Sequence, residues 1–401
     1  MNLPPAPITY LDHAATTPMV PEAIAAMNAA MLEGGNPSSL HGSGRRARRR
    51  VEEARELIAQ RIGARPSEVV FLSGGTEADN LAVKGLYWSR HHADPARRRV
   101  IASAVEHHAL LDPLTWLEKG EGAVAELVEV DRSCRLDLDA LRAAVERRPE
   151  DVALISCMTA NNEVGTVQPI PEVVALASEH GIPVHSDAVQ ALAHLPLDFA
   201  ASGLDAVSIS SHKVGGPTGV GALVVRREVE AVPLLHGGGQ ERDLRSGTLN
   251  TAAIAAFAVA VDLAVTGREA ESARLEALRS RLVDGLRTAV PEAVVNGDPQ
   301  PGPEHRLPHV VHVTFPGCEG DSLLMLLDAQ GIECSTGSAC SAGVPQASHV
   351  LIAMGMDELA ARGSLRFSMG RTTSVADVDR LIAALPAVYE RARAAAKAGR
   401  R

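Results

Sequence analysis

Between about residues 50 and 230, short apolar runs alternate with amphipathic stretches, and no other feature constrains the fold as strongly. The runs at residues 68–72, 100–104, 152–157, 183–186, 206–210 and 222–225 are mostly rich in Val, Ile or Leu. They are too short for helices and read as strands. Helical patterns lie between several of them, as at 137–146 and 170–180; the second opens with Pro171 and stops at Gly181. Such alternation predicts right-handed βαβ units and a mostly parallel sheet. Runs that are apolar throughout suit strands covered on both faces. Past about residue 260 the pattern changes to a long Ala/Leu/Arg/Glu helical stretch (269–290) and a Pro/Gly/His-rich segment (296–309). A strand (310–315) and a helix (321–329) follow, which predicts a second, smaller α+β domain.

Composition narrows the function classes. Hydrophobic residues make up 46% and charged residues 22% of 401, as in a soluble globular chain. The net charge of −10 argues against a general nucleic-acid or anionic-membrane binder. Five Phe, three Tyr and two Trp are too few for base-stacking platforms. The basic run 45–50 is followed by Glu52, Glu53 and Glu56, the pattern of a solvated helix face with i,i+4 pairs. The longest apolar stretch, 252–261, ends at Asp262, well short of the roughly 20 residues of a membrane span. The N-terminal segment lacks the pattern of a secretory signal. Five cysteines with no C-x-x-C suggest neither a disulfide framework nor a zinc ribbon, and no spacing resembles H-E-x-x-H. The expectation is a cytoplasmic protein without a metal.

Three constellations carry chemistry. The run 68–72 leads straight into Ser73-Gly74-Gly75-Thr76-Glu77 and a helical pattern, a turn whose amides suit a phosphate. Asp187, Gln190 and Lys213 follow two other apolar runs and so sit at strand C-terminal ends, where open α/β sheets place ligands. An amine beside a phosphate cradle, with a carboxylate one strand away, meets the needs of pyridoxal phosphate chemistry: the amine forms the Schiff base and the carboxylate keeps the ring nitrogen protonated. The third is Cys340 within Ser335-Thr-Gly-Ser-Ala-Cys-Ser-Ala-Gly343, small residues that suit an exposed, reactive thiol. Cys134, Cys157, Cys318 and Cys334 read as structural. Of His107-His108, also after a strand, one is expected to face the crevice, whereas His91-His92 reads as a solvent-facing polar turn.

These residues belong to an ordered series that resembles the cysteine desulfurases of the NifS/IscS-like branch, in the class V aminotransferase group of fold-type I pyridoxal phosphate enzymes. The series runs from Tyr10-Leu-Asp-His-Ala-Ala-Thr-Thr-Pro18 to Ser364-Leu-Arg-Phe-Ser-Met-Gly-Arg371. Between them stand Gly35-Asn-Pro-Ser-Ser39, Ser73-Gly-Gly-Thr-Glu-Ala-Asp-Asn80, Asn161-Asn-Glu-Val-Gly165, Asp187-Ala-Val-Gln190, Ser210-Ser-His-Lys213, His236-Gly-Gly-Gly-Gln-Glu-Arg242 and Arg245-Ser-Gly-Thr248. The resemblance implies a mostly parallel, mixed seven-stranded sheet between helices in a large cofactor domain (15–260). It implies a small α+β domain (1–14 and 261–401) carrying the catalytic-cysteine loop at about 334–345.

The resemblance also implies roles. Lys213 holds the cofactor, His107 stacks on its ring, Asp187 pairs with the ring nitrogen and Gln190 with the phenolic oxygen. Gly75, Thr76, Ser210 and His212 hold the phosphate. Thr248 reaches the phosphate of a partner subunit, which makes a homodimer part of the site. Asn162 and Arg366 fix the substrate carboxylate, and Asn36 lines the substrate pocket. The implied reaction turns L-cysteine into L-alanine and leaves its sulfur on Cys340 as a persulfide. An acceptor for iron–sulfur cluster assembly or tRNA thiolation then takes the sulfur. After Arg371 the chain runs only 30 residues further, whereas members that serve an iron–sulfur scaffold carry a longer tail, so the acceptor stays open. Two other readings also stay open: a class V aminotransferase or other C–S or C–Se lyase, which needs no Cys340, and an idle member acting as a binding platform.

Overall fold

The computed structural model describes residues 8–336 and 347–399. Its strands are β1 (Thr9–Tyr10), β2 (Val69–Leu72), β3 (Arg99–Ser103), β4 (Val124–Val128), β5 (Val152–Ser156), β6 (Val184–Asp187), β7 (Ala206–Ser210), β8 (Gly221–Val225), β9 (Val294–Asn296), β10 (Val310–Thr314), β11 (Ile332–Glu333) and β12 (Ser364–Ser368). Seven of them form one sheet in the order β2-β8-β7-β6-β5-β3-β4. Neighbours are parallel except β8, which runs antiparallel to both β2 and β7. Every residue of β2, β3, β5, β6, β7 and β8 is buried. That is why the sequence shows continuous apolar runs rather than alternation. The fold is the expected α/β architecture of fold-type I enzymes, with run boundaries shifted by a residue or two.

Some elements escape the apolar-run reading. β4 is the sheet edge and its side chains are mostly part-exposed. Glu126 within it pairs with Arg99 and Arg147, so no apolar run marks it. The helix Thr251–Thr266 is apolar nearly all round, because it lies between the helices Pro21–Glu33 and Gly42–Arg61 and the main core. His91 and His92 lie in the last turn of the helix Leu86–Ala93, not in a polar turn, and the His91 ring stacks on Tyr87. The basic run lies on Gly42–Arg61 as expected, with Arg49 paired to Glu53 and Arg50 reaching back to Glu33.

At Gly267 the chain bends by 69° into the helix Arg268–Ala289. A separate core begins there, built from Leu275, Leu282, Phe315, Leu365, Phe367 and Leu385 among others. It covers the three-stranded antiparallel sheet β12-β10-β9. The N-terminal segment joins it: β1 pairs with β11, and Asp12 bridges to Ser368. The chain then crosses to the large sheet, where the Ala14 and Ala15 carbonyls meet Lys213. No single described helix is long and apolar enough to cross a membrane.

Candidate active site

The site forms where the parallel strands end. β2 feeds the turn into the helix Gly75–Asn80, and β6 ends on Asp187. β7 ends on Ser210, and one turn later comes Lys213. β3 leads to His107, which caps the helix His108–Glu121, and Arg366 reaches in from β12 of the small sheet. A cavity of about 310 Å³ is lined by Gly75, Thr76, His107, Asn162, Asp187, Gln190, Ser210, His212, Lys213 and Arg366. The structure thus brings together ten of the residues singled out in the sequence.

Lys213 Nζ donates to the carbonyls of Ala14 (2.6 Å) and Ala15 (2.7 Å), which hold the amine at the cavity wall. Gln190 Nε2 donates to the same Ala14 carbonyl. The Asp187 carboxylate accepts from the Val189 amide at 2.8 Å. Burial raises its pKa to about 6, against the pull of that amide and of the Lys213 charge. The Ala109 amide donates to His107 Nδ1 at 3.0 Å, which leaves the proton of a neutral ring on Nε2. Burial and then the Lys213 charge lower the pKa of His107 to about 4, and burial does the same for His212. Both imidazoles are neutral at physiological pH.

The paired residues of the sequence separate cleanly. The side chain of Asn161 is spent on its own turn, donating to the Val105 carbonyl and accepting from the Glu163 and Val164 amides, while Asn162 lines the cavity. His107 lines the cavity, while His108 pairs with Asp112 and packs on His349. Arg366 donates to Asp12 and to the Asn162 carbonyl.

Pyridoxal phosphate suits this donor set. Ser210 Oγ is buried without a partner, as a hydroxyl waiting for a phosphate oxygen would be. At Gly75 a Cβ would lie 2.8 Å from Val189 Cγ2, another cavity-lining residue, so glycine lets the turn pack close against that wall. The primary amine, the carboxylate and the neutral imidazole stand around the same space.

Asn36 and Thr248 are exposed and do not line this cavity. Cys340 lies outside the described residues. The other four cysteines are buried, and burial pushes their thiols up, Cys318 to about 11 and Cys334 to about 12, so they are unreactive. Among the described residues no cluster of His, Cys, Asp or Glu could hold a metal. Sequence reasoning missed two carboxylates, Asp12 and Asp79, since neither sits at a strand end. Only their places inside Tyr10–Pro18 and Ser73–Asn80 hinted at them.

A family model described as aminotransferase class-V matches residues 9–381. The chain belongs to this family. Among class-V relatives, an IscS-like cysteine desulfurase of Mycobacterium tuberculosis is 58% identical over 98% of both chains. A solved NifS-like protein superimposes with a TM-score of 0.87 at 34% identity, covering 96% of this chain and all of that one. The structure titled SspA in complex with cysteine is also similar, with a TM-score of 0.76 at 34% identity over 90% of this chain and 98% of that one. The class-V chain described here shares with them the fold that sets the cavity at the strand ends.

Proposed function

We propose that this chain is a pyridoxal phosphate-dependent cysteine desulfurase. The observation that carries the reading is the convergence of Lys213, Asp187, His107, the Gly75–Thr76 turn, Ser210, His212 and Arg366 on one cavity. The full-length likeness to a relative named an IscS-like cysteine desulfurase supports the substrate, as does the likeness to a structure titled as holding cysteine.

When bound, pyridoxal phosphate withdraws electrons from the substrate carbons and so weakens the bond to sulfur. The protein supplies the rest. Lys213 is the residue that would hold the cofactor, its primary amine standing at the cavity wall. Asp187 would pair with the ring nitrogen and favour its protonated form, and His107, neutral with its proton on Nε2, stands at the cavity to exchange protons with the substrate. Arg366 grips the substrate carboxylate with its planar fork, and Asn162 closes that side. The Cys340 thiolate attacks the substrate sulfur: an S–S bond forms, the C–S bond breaks, and its electron pair stays on the substrate carbon. That carbon takes up a proton and leaves as L-alanine. The persulfide then passes its outer sulfur to an acceptor thiol, on an iron–sulfur assembly protein or a tRNA-thiolation enzyme.

One feature supports a homodimer as the working form. Thr248 is exposed and away from this chain's own cavity, as a residue that completes a partner's site would be. A reducing cytoplasm suits a chain whose chemistry depends on a free thiol.

The test is alanine and sulfide release from L-cysteine with a thiol reductant, for the wild type and Cys340→Ala, while following the cofactor absorption band. Equal amounts of both products from the wild type, lost in the variant although its band still shifts with cysteine, support desulfuration. A band shift without sulfide from either protein favours an aminotransferase. Full turnover by Cys340→Ala overturns the persulfide route. A colourless protein that takes up no pyridoxal phosphate points instead to the idle member.

A further inference from the structure

Asp79 lies beneath the cofactor cavity and helps to line it, yet it is only 1% exposed. Its Oδ1 is buried without a hydrogen-bond partner, 3.7 Å from His185 Nε2. The Ser208 hydroxyl lies close enough to its carboxyl to favour the ionised form. Ser208 is the register partner of Asp187 across β6 and β7, so the two carboxyls share one face of the sheet. The chain continues from Ser208 Oγ to His185 Nε2 at 2.9 Å and from His185 Nδ1 to Ser156 Oγ at 2.9 Å, all fully buried.

Other charges frame this pair. Glu106, at the end of the loop after β3, is fully buried, with Oε1 taken by the Met158 amide and Oε2 unpartnered. Lys213 faces Asp187, and burial keeps the His185 ring neutral, at about 3. Three neighbouring carboxyls in an apolar setting do not all ionise. Burial, and then repulsion from Asp187, push Asp79 and Glu106 well above the usual carboxylate range, while burial raises Asp187 less far against the Lys213 charge. A neutral imidazole with a hydroxyl on each side can run its hydrogen bonds either way. With Asp79 protonated, the carboxyl donates to Ser208, Ser208 to His185 and His185 to Ser156; with Asp79 ionised, every donor and acceptor reverses.

We propose that Asp79 is a positioning residue that acts through Asp187: it holds a proton beneath the cofactor cavity, in a hydrogen-bond chain through Ser208, His185 and Ser156, and so leaves Asp187 as the one anion aimed at the cofactor's ring nitrogen. The inference rests on the cofactor reading above and not on the identity of the substrate.

The test is infrared spectroscopy of the holoprotein at neutral pH, with carbon-13 aspartate to separate aspartic from glutamic carboxyls. A protonated aspartic carboxyl stretch is expected in the wild type and in Glu106→Gln, and is expected to vanish in Asp79→Asn. Asp79→Asn, which mimics a neutral carboxyl, is expected to weaken pyridoxal phosphate binding less than Asp187→Asn does, with the ring nitrogen still protonated by nitrogen-15 resonance. Asp187→Asn loses roughly tenfold or more in affinity, the worth of one charge-assisted hydrogen bond. Ser208→Ala, which keeps both carboxyls, shifts the frequency of the stretch and covers the case of an Asp79 variant that does not fold. No protonated aspartic stretch at neutral pH, or one that survives in Asp79→Asn, overturns the proposal. So does an affinity loss in Asp79→Asn equal to that of Asp187→Asn. A protein that binds no cofactor fails the cofactor reading first, visibly by its missing absorption, and the same stretch in the apoprotein still reports on Asp79.

Discussion

The guanidinium of Arg366 is held by a carboxylate 354 positions away: Nη2 donates to Asp12 Oδ1 at 3.0 Å, while Nη1 donates to the Asn162 carbonyl at 3.1 Å. The backbone of Arg366 is fixed separately, by paired hydrogen bonds with Ser335. Main chain and side chain are both set before a substrate arrives, and preorganisation of that kind raises affinity for a planar carboxylate.

Arg366→Lys tests this arrangement. Lysine keeps the charge but has no fork to share among Asp12, the Asn162 carbonyl and a substrate. The KM for L-cysteine is expected to rise roughly 10- to 100-fold, the loss of one bidentate charge-assisted contact. Cofactor affinity is expected to stay unchanged. Steady-state alanine formation measures the first and absorbance titration the second. An unchanged KM removes Arg366 from carboxylate recognition.

A second buried pair governs stability. Arg55 makes a double contact with Glu241, at 2.7 and 2.8 Å, and Glu241 Oε2 also accepts from the Phe71 amide of β2. Glu241, Arg242 and Asp243 all have positive φ (47°, 61° and 64°), a conformation that side chains resist. The ion pair is what pins this loop, which leads on to Thr248, against the sheet. Glu241→Ala leaves the buried Arg55 charge with only the half-exposed Glu52 and the Val69 carbonyl beside it, and is expected to cost up to roughly 3–5 kcal/mol in urea unfolding. A loss under about 1 kcal/mol, the range of an exposed pair, contradicts that role.

The parts that were legible in the sequence are those where one physical demand acts alone. Strands covered on both faces must be apolar throughout, so β5, β7 and β8 stand out. Lys213 and Asp187 were legible because a charged residue at or just past the end of such a run falls at the sheet's ligand-binding edge. β4 was not legible, since an edge strand with Glu126 pairing to two arginines carries no apolar signature. Thr251–Thr266 showed no helical period because all its sides meet protein. Asp12 and Asp79 owe their places to tertiary contacts across the chain, with Arg366 and with the His185–Ser208 pair, and no local pattern encodes such a contact.

Gly221 backs the 73–76 turn from behind. It opens β8, and a Cβ there would lie 2.7 Å from both the Gly74 carbonyl carbon and the Ile209 carbonyl oxygen. Both are backbone atoms of packed elements and cannot swing aside. Gly221→Ala is expected to cost about 1–3 kcal/mol of overpacking and to push the 73–76 turn off its position. Cofactor affinity is expected to fall along with stability. Wild-type affinity in a destabilised variant would separate this turn from phosphate binding.

Glu163 makes stability depend on pH in a direction opposite to that of most carboxylates. Its side chain is buried, accepts from the Ser348 hydroxyl, and has the Arg366 charge nearby. Burial dominates and raises its pKa to about 7. In the unfolded chain it titrates near the ordinary value of about 4.3. Between these values the folded state binds the proton and the unfolded state does not, so this group's contribution is present below the lower value and is lost as pH rises through the upper one. The difference amounts to roughly 4 kcal/mol at most. Glu163→Gln keeps an acceptor for Ser348 and removes the titration. Relative to the wild type it is expected to gain stability progressively from mildly acidic to neutral pH, as read from unfolding midpoints in a pH series. A constant offset between the two proteins across that series would show that Glu163 is already ionised in the folded state, with Arg366 outweighing the cost of burial.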